Sequence, residues 1–216
     1  MKNKMFLIGV LILAAAIFVG ATIWNKKQVI DNPRLAEKPK ADLQILIRDH
    51  SPIKGNRDAS VVIVEFLDPE CEACRAMHPI VKQLLSEYEG KVQLVIRYMP
   101  FHGNSKFAAA ALEEARERGK YDEALDILFE KQPEWADHGQ PRPDLIPIIL
   151  SKLGIEKGNL ETNKVLAKHA WKIDLDQVDG NKVGVRHTPT FFVNGEMLDD
   201  IGYEPLKAAI DKYLAK

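Results

Sequence analysis

The run Val61–Val62–Ile63–Val64–Glu65–Phe66–Leu67 constrains this chain more than any other stretch. It is apolar at all but one position and rich in β-branched residues. Such a strand needs cover on both faces, which a sheet layered between helices provides. It stops at Asp68–Pro69–Glu70, and Cys71–Glu72–Ala73–Cys74 follows at once, leading into a helix-forming segment at residues 75–88. These are the only two cysteines among 216 residues. Unpaired N–H groups at a helix N-terminus, with the helix dipole, favour negative charge there. Thiolate is the nucleophilic form of cysteine, so Cys71, at or near the N-cap, is the candidate nucleophile. Cys74, one turn further in and less exposed, is the candidate resolving thiol that releases a mixed disulfide. Glu70 and Glu72 work against a thiolate. The expected depression of the Cys71 pKa is therefore smaller than neutral neighbours would allow.

Two other readings use the same residues. A C-x-x-C is half of a zinc site, but a structural site needs four ligands and no second cysteine pair exists. His78 falls on the same helix face as both cysteines, so a Cys71–Cys74–His78 cluster is geometrically open. The cysteines could also be inert. Redox chemistry remains the preferred reading, with no resident metal and no cofactor.

The N-terminus stands apart from the rest. Residues 1–4 are short and basic, and residues 5–24 form an uncharged run of 20. That length spans a bilayer as a helix. Val19–Gly20–Ala21 also offers the small residues of a signal-peptide cleavage site. Trp24 with Lys26–Lys27 resembles an interfacial anchor, and an uncleaved transmembrane anchor is the favoured reading over a signal peptide. Lysines and arginines after the span outnumber those before it, which by naive count would keep the domain inside. Long domains translocate largely regardless of that count, so export is expected: a membrane-anchored protein facing the periplasm or cell exterior. Residues 25–42, polar and holding Pro33 and Pro39, read as a linker. The 30 basic and 31 acidic side chains nearly balance, and nothing points to nucleic acid. Hydrophobic residues at 46% are enough for one ordinary core.

Along the domain, a short apolar run at 43–47 reads as an edge strand. Ser51–Pro52 and Gly55–Asn56 read as a turn. A second β-rich run at 92–99 follows the cysteine helix, making a βαβ unit with parallel strands. Helical patterns then occupy residues 105–118, 121–131, 145–153 and 160–178, punctuated by proline and glycine. β character returns at 190–193. Asn194–Gly195 is a strong hairpin signal leading to 196–198, and an amphipathic helix at 204–214 closes the chain.

His187–Thr188–Pro189–Thr190 stands immediately before the returning strand. By itself it is a strand-entry turn. Together with the strand at 61–66, the C-x-x-C, the helical stretch and Val185–Arg186–His187–Thr188–Pro189–Thr190–Phe191–Phe192–Val193–Asn194–Gly195, it resembles the thioredoxin superfamily, and within it the DsbA-like thiol:disulfide oxidoreductases. The resemblance covers roughly residues 43–214. It implies an α/β, thioredoxin-like fold over 43–216, with a helical insertion at about 104–180, preceded by the N-terminal transmembrane or signal helix. It implies a cis Thr188–Pro189 peptide facing the cysteines, with the Thr188 backbone pairing an extended substrate segment and its hydroxyl tuning Cys71. Glu65 matches the buried acid that many members carry beneath the second cysteine. It would then hold a proton for Cys74 or pair with a cation, Arg97 on the neighbouring strand being the candidate; the alternative is that it turns outward at a sheet edge.

The implied activity is exchange of disulfides with protein substrates, most directly as an oxidase reoxidised by a DsbB-like membrane enzyme. A reductase or isomerase kept reduced by a DsbD-like donor is the alternative, and a chaperone-like module is a third. Many strong oxidants of the family carry proline or histidine between the cysteines, whereas Glu72–Ala73 stands here, which weighs against the oxidase direction. With no sustained heptad pattern in the linker, a monomer is expected.

Overall fold

The computed structural model describes residues 40–215, together with Ala15, residues 18–22 and Trp24, which are helical. Lys40–Lys216 form one compact unit. The anchor or signal segment at 1–24 lies for the most part outside the described residues, and so does the linker up to residue 39. No helix among the described residues is long and apolar enough to cross a membrane.

The unit is built on a mixed sheet of five strands: β1 (Ile53–Gly55), β2 (Val61–Leu67), β3 (Val92–Tyr98), β4 (Thr190–Val193) and β5 (Glu196–Met197). Their order is β1-β3-β2-β4-β5. β2 and β3 run parallel, joined through helix α2 (Glu72–Glu87), and every other pairing is antiparallel. β2 is central, with all of its residues but Val62 buried, so neither face of its apolar run is wasted. The period of two in a strand divides it cleanly. Ile63 and Leu67 pack with Leu94, Ile96 and Tyr98 of β3 in the larger core, while Val64 and Phe66 pack with Val95 and Phe192 in the smaller one.

The larger core receives α2, through Cys74, Met77, Val81 and Leu84, and the last helix, α8 (Tyr203–Leu214), through Leu206 and Ile210. It also receives four helices from the long stretch between β3 and β4: α3 (Ser105–Arg116), α4 (Tyr121–Glu130), α5 (Gln132–Trp135) and α6 (Leu145–Ser151). The fifth helix of that stretch, α7 (Thr162–Lys182), serves both layers. Val165 and Ile173 enter the larger core. Its C-terminal turns lie against the other face, where a Cβ on Gly180 would stand 3.0 Å from both Phe66 and Met99. The helix runs past Val178, where the pattern pointed to its end, and glycine at 180 lets it settle directly onto the sheet.

Two expectations fail at the N-terminal side of the unit. Residues 43–47 do not form an edge strand. Leu43–Leu46 is a single helical turn, α1, capped by Asp42, whose carboxylate accepts from Gln44 N at 2.9 Å. The edge is taken instead by β1, inside the segment read as a turn, pairing with β3 from Ile53↔Val95 to Gly55↔Gln93. The helical turn leaves the Ile45 and Leu46 carbonyls free to accept from Arg97 Nη1 at 2.7 and 2.8 Å. The hairpin is as expected: Asn194 (φ 46) and Gly195 (φ 85) both take the left-handed conformation of a tight two-residue turn.

Candidate active site

Because β2 and β3 are parallel, their C-terminal ends open at one edge of the sheet, the usual address of chemistry in such folds. At that edge Leu67 passes the chain to a loop in which Cys71 N donates to the Asp68 carbonyl at 3.1 Å. Cys71 is the N-cap of α2, with extended backbone. Its sulfur therefore stands over a first helical turn whose N–H groups lack intrahelical partners. Both cysteines are free thiols, Cys71 slightly exposed and Cys74 fully buried.

The Thr188–Pro189 peptide, at the entrance to β4, is cis. The Cys71 thiol donates to the Thr188 carbonyl at 3.4 Å, so this loop and the helix terminus face one another as the resemblance implied. The two thiols are driven apart electrostatically. Hydrogen bonding from the Cys74 thiol, then from the Thr188 side chain and the Cys74 and Ala73 backbones, outweighs burial and lowers Cys71 to about 5. Burial first, then the hydrogen bond it makes to Cys71 and the charge of Glu65, push Cys74 well above the usual thiol range, despite the Asp68 N–H that reaches its sulfur at 3.4 Å. One cysteine is a ready thiolate at neutral pH, and the other holds its proton.

Glu70 and Glu72, expected to oppose the thiolate, do not prevent the lowering of Cys71, and both carboxylates are engaged by other groups. Glu70 is buried and accepts from Asn104 N at 2.7 Å, Asn104 Nδ2 at 3.0 Å and Ser105 Oγ at 3.2 Å. Glu72 points into solvent and meets His138 Nε2 at 2.7 Å.

Glu65 is buried, not turned outward at an edge. Its expected cation is elsewhere. In the β2–β3 register Glu65 pairs with Ile96, and Arg97 pairs with Phe66, so the two charges lie on opposite faces of the sheet. Arg97 instead meets Asp176 at 2.6 Å and Asp179 at 2.8 Å, all three side chains fully buried. Left without that partner, Glu65 is pushed by burial up to about 8, Lys54 only partly offsetting the effect. It carries a proton at neutral pH, which was the other expectation for it. His78, the third member of the metal reading, is turned to Asp126 (Nε2 to Oδ1, 2.6 Å). The one cluster among the described residues with metal-ligand spacing is Glu114, Glu117 and His169, which includes neither cysteine.

Several residues at the site carry no local sequence signal. Asp68 is fully buried. It accepts from Glu70 N, Phe101 N, His102 N, His102 Nδ1 and Ser105 Oγ, knotting the loop before α2 to the loop after β3. Gln132 Nε2 donates to the Pro69 and Cys71 carbonyls at 2.9 and 3.0 Å, clamping the cysteine loop from α5, while its Oε1 is buried without a protein partner. The single clue to such residues is the position of Asp68 and His102 at the C-terminal ends of adjacent parallel strands.

A buried dithiol at a helix N-cap, opposite a cis-proline loop, on a five-stranded sheet with a helical layer inserted between β3 and β4, is a known arrangement. A thioredoxin family model matches residues 48–212. The probable disulfide bond formation protein D of Bacillus anthracis is 28% identical over 228 aligned positions, covering 100% of this chain and 99% of that protein. The oxidised structure of BdbD from Bacillus subtilis superposes with a TM-score of 0.70 at 28% identity, over 77% of this chain and 94% of that one. The Na(+)/H(+) antiporter NhaA 3 of Salinispora tropica is 33% identical over 151 residues, which is 68% of this chain and 22% of the antiporter. The chain spans about a quarter of the length of the antiporters it matches. It belongs to the thioredoxin family.

Proposed function

We propose that this protein is an extracytoplasmic thiol:disulfide oxidoreductase that exchanges disulfides with protein substrates through Cys71 and Cys74, working as an oxidase. The observation that carries this reading is the separation of the two thiols: Cys71 lowered to about 5 and Cys74 raised. A stabilised thiolate favours the reduced form of the pair, and a pair whose reduced form is favoured is the stronger oxidant.

In the oxidising direction a substrate thiolate attacks the Cys71 sulfur of the Cys71–Cys74 disulfide. A mixed disulfide forms with Cys71, and Cys74 leaves as a thiolate that takes the proton of Glu65, whose charge it senses. The second substrate thiolate then attacks the substrate sulfur of the mixed disulfide. The substrate disulfide forms and Cys71 departs as its stable thiolate. Two electrons pass to the protein, and reoxidation needs an external acceptor, a DsbB-like membrane enzyme. The Thr188 backbone beside Cys71 supplies the edge to which an extended substrate segment pairs. Residues 1–24 would anchor or export the domain, with 25–42 as tether, and the protein would act as a monomer.

Trapping free thiols in cells with a mass-tag reagent tests the direction, with Cys74→Ser capturing substrates on Cys71. The oxidase reading expects the pair mostly as disulfide and substrates captured. A pair found mostly as dithiol, or a reduction potential near roughly −270 mV, overturns it in favour of a reductase supplied by a DsbD-like donor. No captured substrate, with undiminished activity of Cys71→Ser, points to a chaperone-like module instead.

A further inference from the structure

We infer that His102, held by Asp68, is a catalytic residue of the exchange: a general base that takes the proton of the incoming substrate thiol at Cys71. The inference rests on the thiol-exchange reading above and adds a proton acceptor to it.

The placement is defined by a closed circuit of contacts. Cys71 N donates to the Asp68 carbonyl, and Asp68 N donates to the Cys74 sulfur. The Asp68 carboxylate accepts from His102 at both Nδ1 (2.7 Å) and the backbone N (3.2 Å), which fixes ring and loop together. The His102 ring lies 5.8 Å from that of His138, and His138 meets Glu72, the residue after Cys71. With Nδ1–H committed to Asp68, the tautomer is set and Nε2 is the lone-pair nitrogen. It has no protein partner among the described residues, and the side chain is 31% exposed. A buried carboxylate orienting an imidazole whose far nitrogen is open to solvent, within electrostatic reach of a sulfur nucleophile, is the arrangement of a positioned base.

The charges around the ring make it suited to both ends of the reaction. Asp68, Glu70, the Cys71 sulfur, Glu72 and His138 all lie around it. Burial works against the imidazolium, but the Asp68 hydrogen bond and charge, then Cys71 and Glu70, raise its pKa overall. In the oxidised protein Cys71 carries no charge, so one of those contributions is absent and the imidazolium is less strongly favoured than in the reduced protein. As the exchange proceeds Cys71 is released as a thiolate, and the proton on His102 becomes its counter-ion. The proton balance closes. One substrate proton rests on His102, and Cys74 takes the proton of Glu65, which the second substrate proton replaces. The substrate loses two electrons to the cysteine pair, and its two sulfurs join.

A free thiol is only a few per cent thiolate near pH 7, so a base at this position has a bounded and pH-dependent effect. The test uses the oxidised protein and a synthetic peptide bearing two cysteines, with dithiol oxidation followed by acid quench and mass analysis. His102→Gln, which keeps a donor for Asp68, is expected to oxidise the peptide roughly tenfold more slowly than the parent near pH 7. The two should match near pH 9.5, where the peptide thiol (pKa about 8.5) ionises unaided. His102→Ala should recover rate when free imidazole is added, which a purely structural role would not allow. Equal rates near pH 7, a deficit that persists near pH 9.5, or no imidazole rescue would overturn the inference. No oxidation by the parent protein at any pH would remove the exchange reading itself, a distinguishable outcome.

Discussion

Glu65 shows what a single buried ionisable group contributes. It sits on the central strand, on the larger-core face, and its proton is kept by desolvation. Its folded pKa of about 8 lies above the unfolded value, so the folded state holds a proton that the unfolded state releases. Stability therefore falls as pH rises from about 4.5 towards 8, and is least burdened at or below about 4.5. Glu65→Gln removes this cost without changing shape. It is expected to raise stability by roughly 1–3 kcal/mol near neutral pH and by little in acid. Chemical denaturation of both proteins around pH 5 and about pH 8 checks it; equal gains at both would show that proton retention is not the cause. The same substitution should slow the step in which Cys74 acquires its proton.

Among the elements, the joint between α7 and the sheet holds three fully buried charged side chains, Arg97, Asp176 and Asp179. Arg97 on β3 is fully enclosed and meets Asp176, Asp179 and two α1 carbonyls, while its guanidinium lies 5.5 Å over the Phe66 ring. Asp176 also accepts from Tyr98 N at 2.9 Å and contacts His50, and Asp179 is shared with Arg48. The helix is thus fastened to the strand by ionic groups that water cannot reach, with Gly180 allowing the close approach. Arg97→Leu leaves two carboxylates buried beside a missing cation, a change that typically costs about 3–5 kcal/mol. Urea unfolding should show that loss. Adding Asp176→Asn to Arg97→Leu should return part of it. If the double variant were no better than the single one, the uncompensated charge would not be the source of the loss.

For the molecule as a whole, redox state and pH are linked through Cys71. Its folded pKa of about 5 lies below the ordinary thiol value of 9.0, so the thiolate stabilises the reduced protein fully above about pH 9, and this contribution is lost as pH falls towards 5. Cys74, raised above the usual value, titrates only on the alkaline side. The oxidised protein has neither thiol to titrate. The stability of the reduced form relative to the oxidised form should accordingly decrease from about pH 9 down to about pH 5 and then level off. Thermal unfolding of both forms across that range reads it directly. A difference that does not change with pH would mean that the Cys71 thiolate is not specially stabilised.

Some of this molecule was legible in local sequence because the relevant physics is local. The unbroken apolar run of β2, the parallel partner at β3, the helix opening at Cys71 and the Asn194–Gly195 turn each follow from periodicity, capping or backbone conformation within a few residues. The cysteine pair could be named for the same reason, whereas the part played by Thr188–Pro189 came only from the resemblance to the thioredoxin superfamily. What only the tertiary structure decided depends on register and on side chains distant in sequence. The run at 43–47 had apolar residues suited to a strand, but a capped helical turn there supplies carbonyls to Arg97. One step of register placed Arg97 on the face opposite Glu65 and gave it to α7 instead. The acids flanking Cys71 could be counted in the sequence, yet their direction could not. Asn104, Ser105 and His138 engage them, and Asp68 holds His102 at the same end of the sheet. The sequence showed a thiol pair standing among carboxylates; packing gave those carboxylates other partners and placed Cys74, Thr188 and the helix backbone where their hydrogen bonds set the charge of Cys71.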